Sequence, residues 1–180
     1  MRVLLDREQI ERRTRELARE ISRDFLGKNP VLIGILKGST MFLADLMRRL
    51  DLDPEIDFIS ISSYASGVTS SGTVRLLKDL DGDISGRDVL VVEDIIDSGL
   101  SLSYLRKNLL SRNPRSLSIV TLLDKRVPRE RQVFVDYVGF EIEDLFVIGY
   151  GLDHAEHFRE LPYVAVLEPD DPSGPYGGPI

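Results

Sequence analysis

The stretch LVVEDIIDSGLS, residues 90–101, carries three carboxylates, Glu93, Asp94 and Asp97, ahead of Ser98, Gly99, Leu100 and Ser101. Two adjacent carboxylates accept hydrogen bonds from vicinal hydroxyls, or hold a hard divalent cation such as Mg²⁺ through oxygen or water. A third, three residues on, can exchange a proton with a reacting group. Gly99 can adopt positive φ without a Cβ penalty and turn successive N–H groups inward. Those N–H groups, with the Ser98 and Ser101 hydroxyls, make an anion cradle where a helix starts. Diol acceptor, proton acceptor and phosphate cradle together describe a ribose 5-phosphate ligand. Neither G-x-x-x-x-G-K-[ST] nor G-x-G-x-x-G is matched here, which points to a phosphate monoester rather than a nucleoside triphosphate or a dinucleotide. Chemistry alone leaves a second reading open, in which the run is only an Asx-turn and helix cap.

Such a cradle needs a strand that ends on the acids and a helix that starts after them. DVLVVEDI (88–95) is the most apolar strand of the chain, and a helix follows over about 101–112, stopped by Asn113-Pro114. Upstream, Ile10, Thr14, Leu17, Ile21 and Phe25 recur at steps of three and four, predicting a helix over 6–26 with Asp6 as its cap. VLIGIL (31–36) is apolar almost throughout, as strands covered on both faces are. Lys37-Gly38-Ser39 then turns into a helix at 40–50. Strands are expected at 55–65, 73–78, 116–123, 135–140, 145–150 and 163–168, with the small polar stretch 66–73 as an exposed loop. Alternating strands and helices predict an α/β fold, a doubly wound and mainly parallel sheet. We expect one domain over 1–168 and a Pro/Gly-rich tail over 169–180.

Composition narrows the class of function. A net charge of −7 argues against nucleic-acid partners, which are held by Lys and Arg on phosphates. No apolar run approaches the ~20 residues of a bilayer span, and the opening MRVLLDREQIERR is charged too early for a secretory signal. Membranes are therefore not expected partners, and a cytoplasmic location is. The absence of cysteine excludes thiolate nucleophiles and Cys-based metal sites.

The run VVEDIIDSGLS closely resembles the PRPP-binding motif of the type I phosphoribosyltransferases, where PRPP is 5-phosphoribosyl 1-pyrophosphate. Asp97 directs the resemblance to the hypoxanthine-guanine branch, because adenine and orotate enzymes typically carry a small or neutral residue there. The likeness continues in order through ILKGS (35–39), SSYASGVTSSG (62–72), LLDKR (122–126), DYVGFEI (136–142) and FVIGYGLDHAEHFRELPYV (146–164). It implies the type I fold, with a small hood from the N- and C-terminal segments. It also implies transfer of the ribosyl phosphate of PRPP to N9 of a 6-oxopurine through an oxocarbenium-like transition state, with Mg²⁺ as cofactor and assembly as a homodimer or homotetramer.

By the same resemblance, Glu93 and Asp94 hold the ribose hydroxyls and Mg²⁺, and Asp97 is the catalytic acid/base at purine N7. Residues 97–101 bind the 5-phosphate. Lys37 and Gly38, after a cis peptide, contact pyrophosphate together with Ser63, Tyr64 and Arg159, and Ser63 and Tyr64 open a loop that closes over the site. Lys125 donates to the purine O6, a bond that the amino group of adenine cannot accept. Phe146 stacks on the base, the Val147 backbone meets its edge, and Asp153 holds a second Mg²⁺. Without the resemblance Phe146 reads as core. Leu100 matches bacterial members, Ser101 replaces a usual Thr, and His154 replaces a usual Tyr, giving HAEH (154–157) with two histidines expected on a helix. Two other readings follow from the fold: a PRPP-binding regulator, which would need a nucleic-acid-binding face, and an enzyme that also accepts xanthine.

Overall fold

Asp6 opens the longest helix. In the computed structural model, which describes residues 1–63, 74–129 and 131–167, α1 spans Arg7–Asp24. The Asp6 carboxylate accepts from the Gln9 N–H at 2.8 Å and the Gln9 side chain accepts from the Asp6 N–H at 2.9 Å. This reciprocal capping box satisfies two otherwise orphaned donors. Ile10, Thr14, Leu17 and Ile21 form the buried face, and the Thr14 hydroxyl is satisfied by donating to the Ile10 carbonyl at 2.8 Å.

The main sheet has six strands in the order β4-β3-β2-β5-β6-β7: β2 (Val31–Leu36), β3 (Glu55–Ser63), β4 (Val74–Lys78), β5 (Asp88–Ile96), β6 (Ser116–Lys125) and β7 (Tyr137–Ile142). All neighbours are parallel except β4, which runs antiparallel along one edge. Successive residues divide between two cores. Leu32, Leu90, Val92, Val120 and Leu122 meet α1 and α2 (Thr40–Met47) on one face. Ile33, Ile35, Val89, Val91 and Ile119 meet α3 (Leu100–Leu110) on the other. Period-two alternation between two apolar layers is why these strands read as nearly continuous hydrophobic runs.

A second, antiparallel sheet joins the two ends of the chain in the order β1-β9-β8, with β1 (Arg2–Leu5), β8 (Val147–Ile148) and β9 (Val164–Val166). This is the expected hood. Its strands are shorter than the 145–150 and 163–168 of the sequence reading, and β7 starts two residues later than 135. None of the helices described is long and apolar enough to cross a membrane. The loop at 66–73 and the tail at 169–180 fall outside the described residues.

One buried acid ties an edge connection to the sheet. Asp57, in β3, accepts from the N–H groups of Phe58 (2.7 Å), Asp81 (3.0 Å) and Gly82 (3.0 Å). Burial pushes its carboxyl up, but the three N–H donors and the Lys78 charge outweigh that and hold it below the usual carboxylate range. A depressed folded value means the stabilisation is present above the unfolded pKa near 4 and is lost as pH falls through the folded one. Asp57→Ala strands the three donors and should cost about 2–4 kcal/mol at pH 7. Urea denaturation should show that difference shrinking as the pH is taken below 4.

Candidate functional site

Because β2, β3, β5 and β6 are parallel, their carboxyl ends share one edge, where ligands of open α/β sheets bind. At the end of β2 the Leu36–Lys37 peptide is cis, as the resemblance implies. Gly38 follows, and a Cβ there would lie 1.7 Å from Asp94 Oδ2 at the end of β5. Gly151, at φ +99°, closes on the same loop from the hood: a Cβ on it would sit 2.0 Å from the Gly38 carbonyl oxygen. Side chains at either position would separate the hood, the Lys37-Gly38 loop and the acid pair.

Glu93 is 8% exposed, and its carboxylate accepts from the Asp94 N–H at 3.1 Å. Burial, reinforced by the neighbouring Asp94 charge, pushes the Glu93 carboxyl well above its ordinary value. Two hard oxygen donors pressed together, with no basic side chain paired to Glu93 among the described residues, fit a divalent ion or a diol. Among the described residues no group of three or more His, Asp or Glu is arranged around a common metal position. The acid pair and Asp153 are therefore separate places.

Asp97 and Lys125 meet at the next rung of the sheet, with Lys125 Nζ 3.0 Å from Asp97 Oδ2. The ammonium also donates to Asp144 Oδ1 at 3.2 Å. Burial pulls the Lys125 ammonium down, but the two carboxylates more than reverse this, so it stays protonated beyond the usual lysine range. Gly99, at φ +77°, is the residue before α3. The helix begins at Leu100, one residue earlier than expected, and the Leu100 N–H donates to Ser98 Oγ at 3.4 Å. Ser101 lies in its first turn, where N–H groups lack intrahelical acceptors and face an incoming anion.

The hood supplies the remaining residues. Phe146 is 53% exposed rather than core, and the His154 ring meets it edge-on at 5.4 Å between centroids. Val147 is buried in β8. The expected helix around HAEH is absent. His154 and His157 instead pair backbone to backbone across a tight turn whose central residues, Ala155 and Glu156, are at φ +51° and +68°. Positive φ at both central positions marks a type I′ hairpin turn, so the histidines do not sit one above the other as helical metal ligands would.

That turn aims Glu156 at the expected pyrophosphate cations. Its carboxylate is 2.9 Å from Lys37 Nζ and 3.4 Å from Arg159. Arg159 also pairs with Asp153 at 2.8 Å and donates to the Gly151 carbonyl at 2.8 Å, while its buried Nε–H has no acceptor among the described residues. Ser63 ends β3, and Tyr64 lies outside the described residues. Sequence reasoning missed Asp144 and Glu156. Each looks like one more solvated acid, and only the strand register and the turn reveal its partner.

The comparisons with known proteins point the same way. Residues 3–155 match the family "Phosphoribosyl transferase domain". The chain is 48% identical over 168 residues to the hypoxanthine-guanine phosphoribosyltransferase of Bacillus subtilis, covering 93% of each. It is 47% identical over 169 residues to the bifunctional protein TilS/HprT of Listeria monocytogenes, where the match takes in 94% of this chain but spans only 26% of the relative's length. The solved hypoxanthine phosphoribosyltransferase of Staphylococcus aureus superposes with a TM-score of 0.90 at 46% identity, over 94% of this chain and 92% of that one.

The buried acid pair makes a stability prediction. A folded pKa raised above the unfolded value near 4.3 means that Glu93 contributes fully below that value and progressively opposes folding as pH rises through the raised one. Without ligand or divalent cation, Glu93→Gln should therefore be more stable than the wild type at pH 8, by a margin that closes by pH 4. Parallel urea titrations at the two pH values measure it.

Proposed function

The chain belongs to the phosphoribosyltransferase family and to its hypoxanthine-guanine branch, and from that premise we propose that it transfers the 5-phosphoribosyl group of PRPP to N9 of hypoxanthine or guanine. The products are IMP or GMP and pyrophosphate. The observation that carries this reading is the Asp97–Lys125 pair, 3.0 Å apart at adjoining strand ends, beside the Glu93–Asp94 acids and the start of α3.

A purine seated between Phe146 and that pair would present N7 to Asp97 and O6 to Lys125. As the C1′–oxygen bond of PRPP breaks and N9 bonds to C1′, the purine becomes electron-poor and its N7 proton passes to Asp97. Such proton transfer supplies about 10²–10⁴-fold in rate. Glu93 and Asp94 hold the ribose hydroxyls and face the positive charge that develops on the ring. The first turn of α3, with Ser98 and Ser101, receives the 5-phosphate. Lys37 and Arg159 receive the leaving pyrophosphate, in exchange for the exposed Glu156 carboxylate. Mg²⁺ would be held by Glu93 and Asp94, and a second ion by Asp153, and would supply positive charge against the pyrophosphate when bound. Lys125 separates the substrates: a protonated ammonium donates to a 6-oxo group but meets the adenine amino group donor to donor, leaving one of its N–H groups without an acceptor.

We further propose that the protein works in the cytoplasm as a homodimer or homotetramer, which light scattering on the purified chain would check. The decisive assay supplies PRPP, Mg²⁺ and a mixture of hypoxanthine, guanine, xanthine and adenine, and separates the nucleotides formed. IMP and GMP without AMP are expected, and any XMP measures how far the 2-position is tolerated. No nucleotide from any base would defeat the reading. In the same assay Asp97→Asn should lower kcat by about 10²-fold or more while leaving PRPP affinity nearly unchanged.

A further inference from the structure

Resting on that reading, we propose that Asp144 is a positioning residue for the 6-oxopurine: it holds the Lys125 ammonium in place beside Asp97 and shares its charge through the reaction. Lys125 is only 11% exposed, whereas Asp97 and Asp144 are 60% and 70% exposed. The lysine stem is fixed, so its head group can be shared between carboxylates but cannot move far. Of its three protons, one points to Asp97 (3.0 Å) and one to Asp144 (3.2 Å). The third remains for the purine oxygen.

The backbone dictates that arrangement. Lys125 pairs with Ile142 in the β6–β7 register, and the Arg126 N–H donates to the Ile142 carbonyl at 2.8 Å. Just beyond, the Leu145 N–H donates to the Glu143 carbonyl at 2.9 Å, a tight turn centred on Asp144 that brings its carboxylate to the lysine. Phe146 and Val147 come next, so one short segment delivers the lysine's second partner, the exposed ring and the base-edge backbone. The other charges on these elements are engaged elsewhere: Asp124 pairs with Arg129, and Glu141 with Arg126 at 2.9 Å. Asp97 and Asp144 are thus the carboxylates that face Nζ among the described residues.

Two acids are needed because one of them changes charge. When Asp97 takes the N7 proton it becomes neutral, and Lys125, covered by the base, would be left as an uncompensated cation. The Asp144 carboxylate, 3.2 Å from Nζ, remains as its counter-charge, so the ammonium keeps donating to O6 while N7 loses its proton.

The test compares wild type, Asp144→Asn and Asp144→Glu in PRPP- and hypoxanthine-dependent turnover near neutral pH, with a thermal melt of each to confirm folding. Asp144→Asn should raise the KM for hypoxanthine about tenfold and leave the KM for PRPP within about twofold. Asp144→Glu should restore the base KM. An unchanged base KM in a folded Asp144→Asn overturns the inference, as does an equal loss toward PRPP and base, which would mean a merely structural role. A wild type that makes no nucleotide would overturn the underlying reading instead.

Discussion

Parallel pairing of β5 with β6 is the constraint on which the site depends. The register runs from Asp88 opposite Ser116 to Ile96 opposite Asp124. One step further along, Asp97 and Lys125 fall side by side where both strands end. No loop search is needed to bring an acid and a base together from residues 28 positions apart, because the ladder does it. Anchoring on each side is apolar: Val89, Val91 and Ile119 on one face, Leu90, Val92 and Val120 on the other. A one-residue slip would exchange these faces and bury the polar partners, so packing of the core enforces the geometry of the chemistry.

The hood is attached by contact rather than by extensive pairing. The approach of Gly151 to the Gly38 carbonyl, and of Gly38 to the Asp94 carboxylate, stacks three chain segments at backbone distance. Tyr150 adds a bolt, its hydroxyl donating to Asp45 Oδ2 in α2 at 2.7 Å. Beside this centre the Lys37–Glu156 pair is exposed on both sides, and such a pair is worth about 0–1 kcal/mol. That weakness suits its position. Glu156 can hold Lys37 and Arg159 apart from bulk counterions, yet yield them to a ligand of several negative charges.

What could be read from the sequence was whatever repeats along it. The capped amphipathic helix at α1 and the apolar runs at β2, β5 and β6 announce themselves by periodicity, and the acid-Ser-Gly run announces an anion site by composition. Short hood strands do not: β1 and β8 have four and two residues, too few to show a period. The turn at 154–157 was misread because HAEH has helix-forming composition, and tertiary context overrode it. Phe146 was read as core from chemistry and as a stacking ring from the resemblance, and its exposure sides with the latter. Asp144 and Glu156 were invisible for another reason. A solvated acid and an acid facing a buried ammonium are the same letter, and only the fold distinguishes them.

The charge balance of the site follows from these pieces. A chain of net charge −7 is expected to repel an anionic substrate, and the site nevertheless gathers Lys37, Lys125, Arg159 and the amino end of α3. Each of these lysines and the arginine already faces a carboxylate: Glu156 for Lys37, Asp97 and Asp144 for Lys125, Asp153 and Glu156 for Arg159. Those four carboxylates already outnumber the three cations, so the site is no bare cationic pocket before a ligand arrives, and binding exchanges one set of acids for another. Glu93 marks the cost of this design, since it is an acid buried against a second acid with its compensation left to the ligand. A fold optimised only for its own stability has no use for that pair, and its place at the carboxyl end of β5 is what singles out this edge as the candidate site.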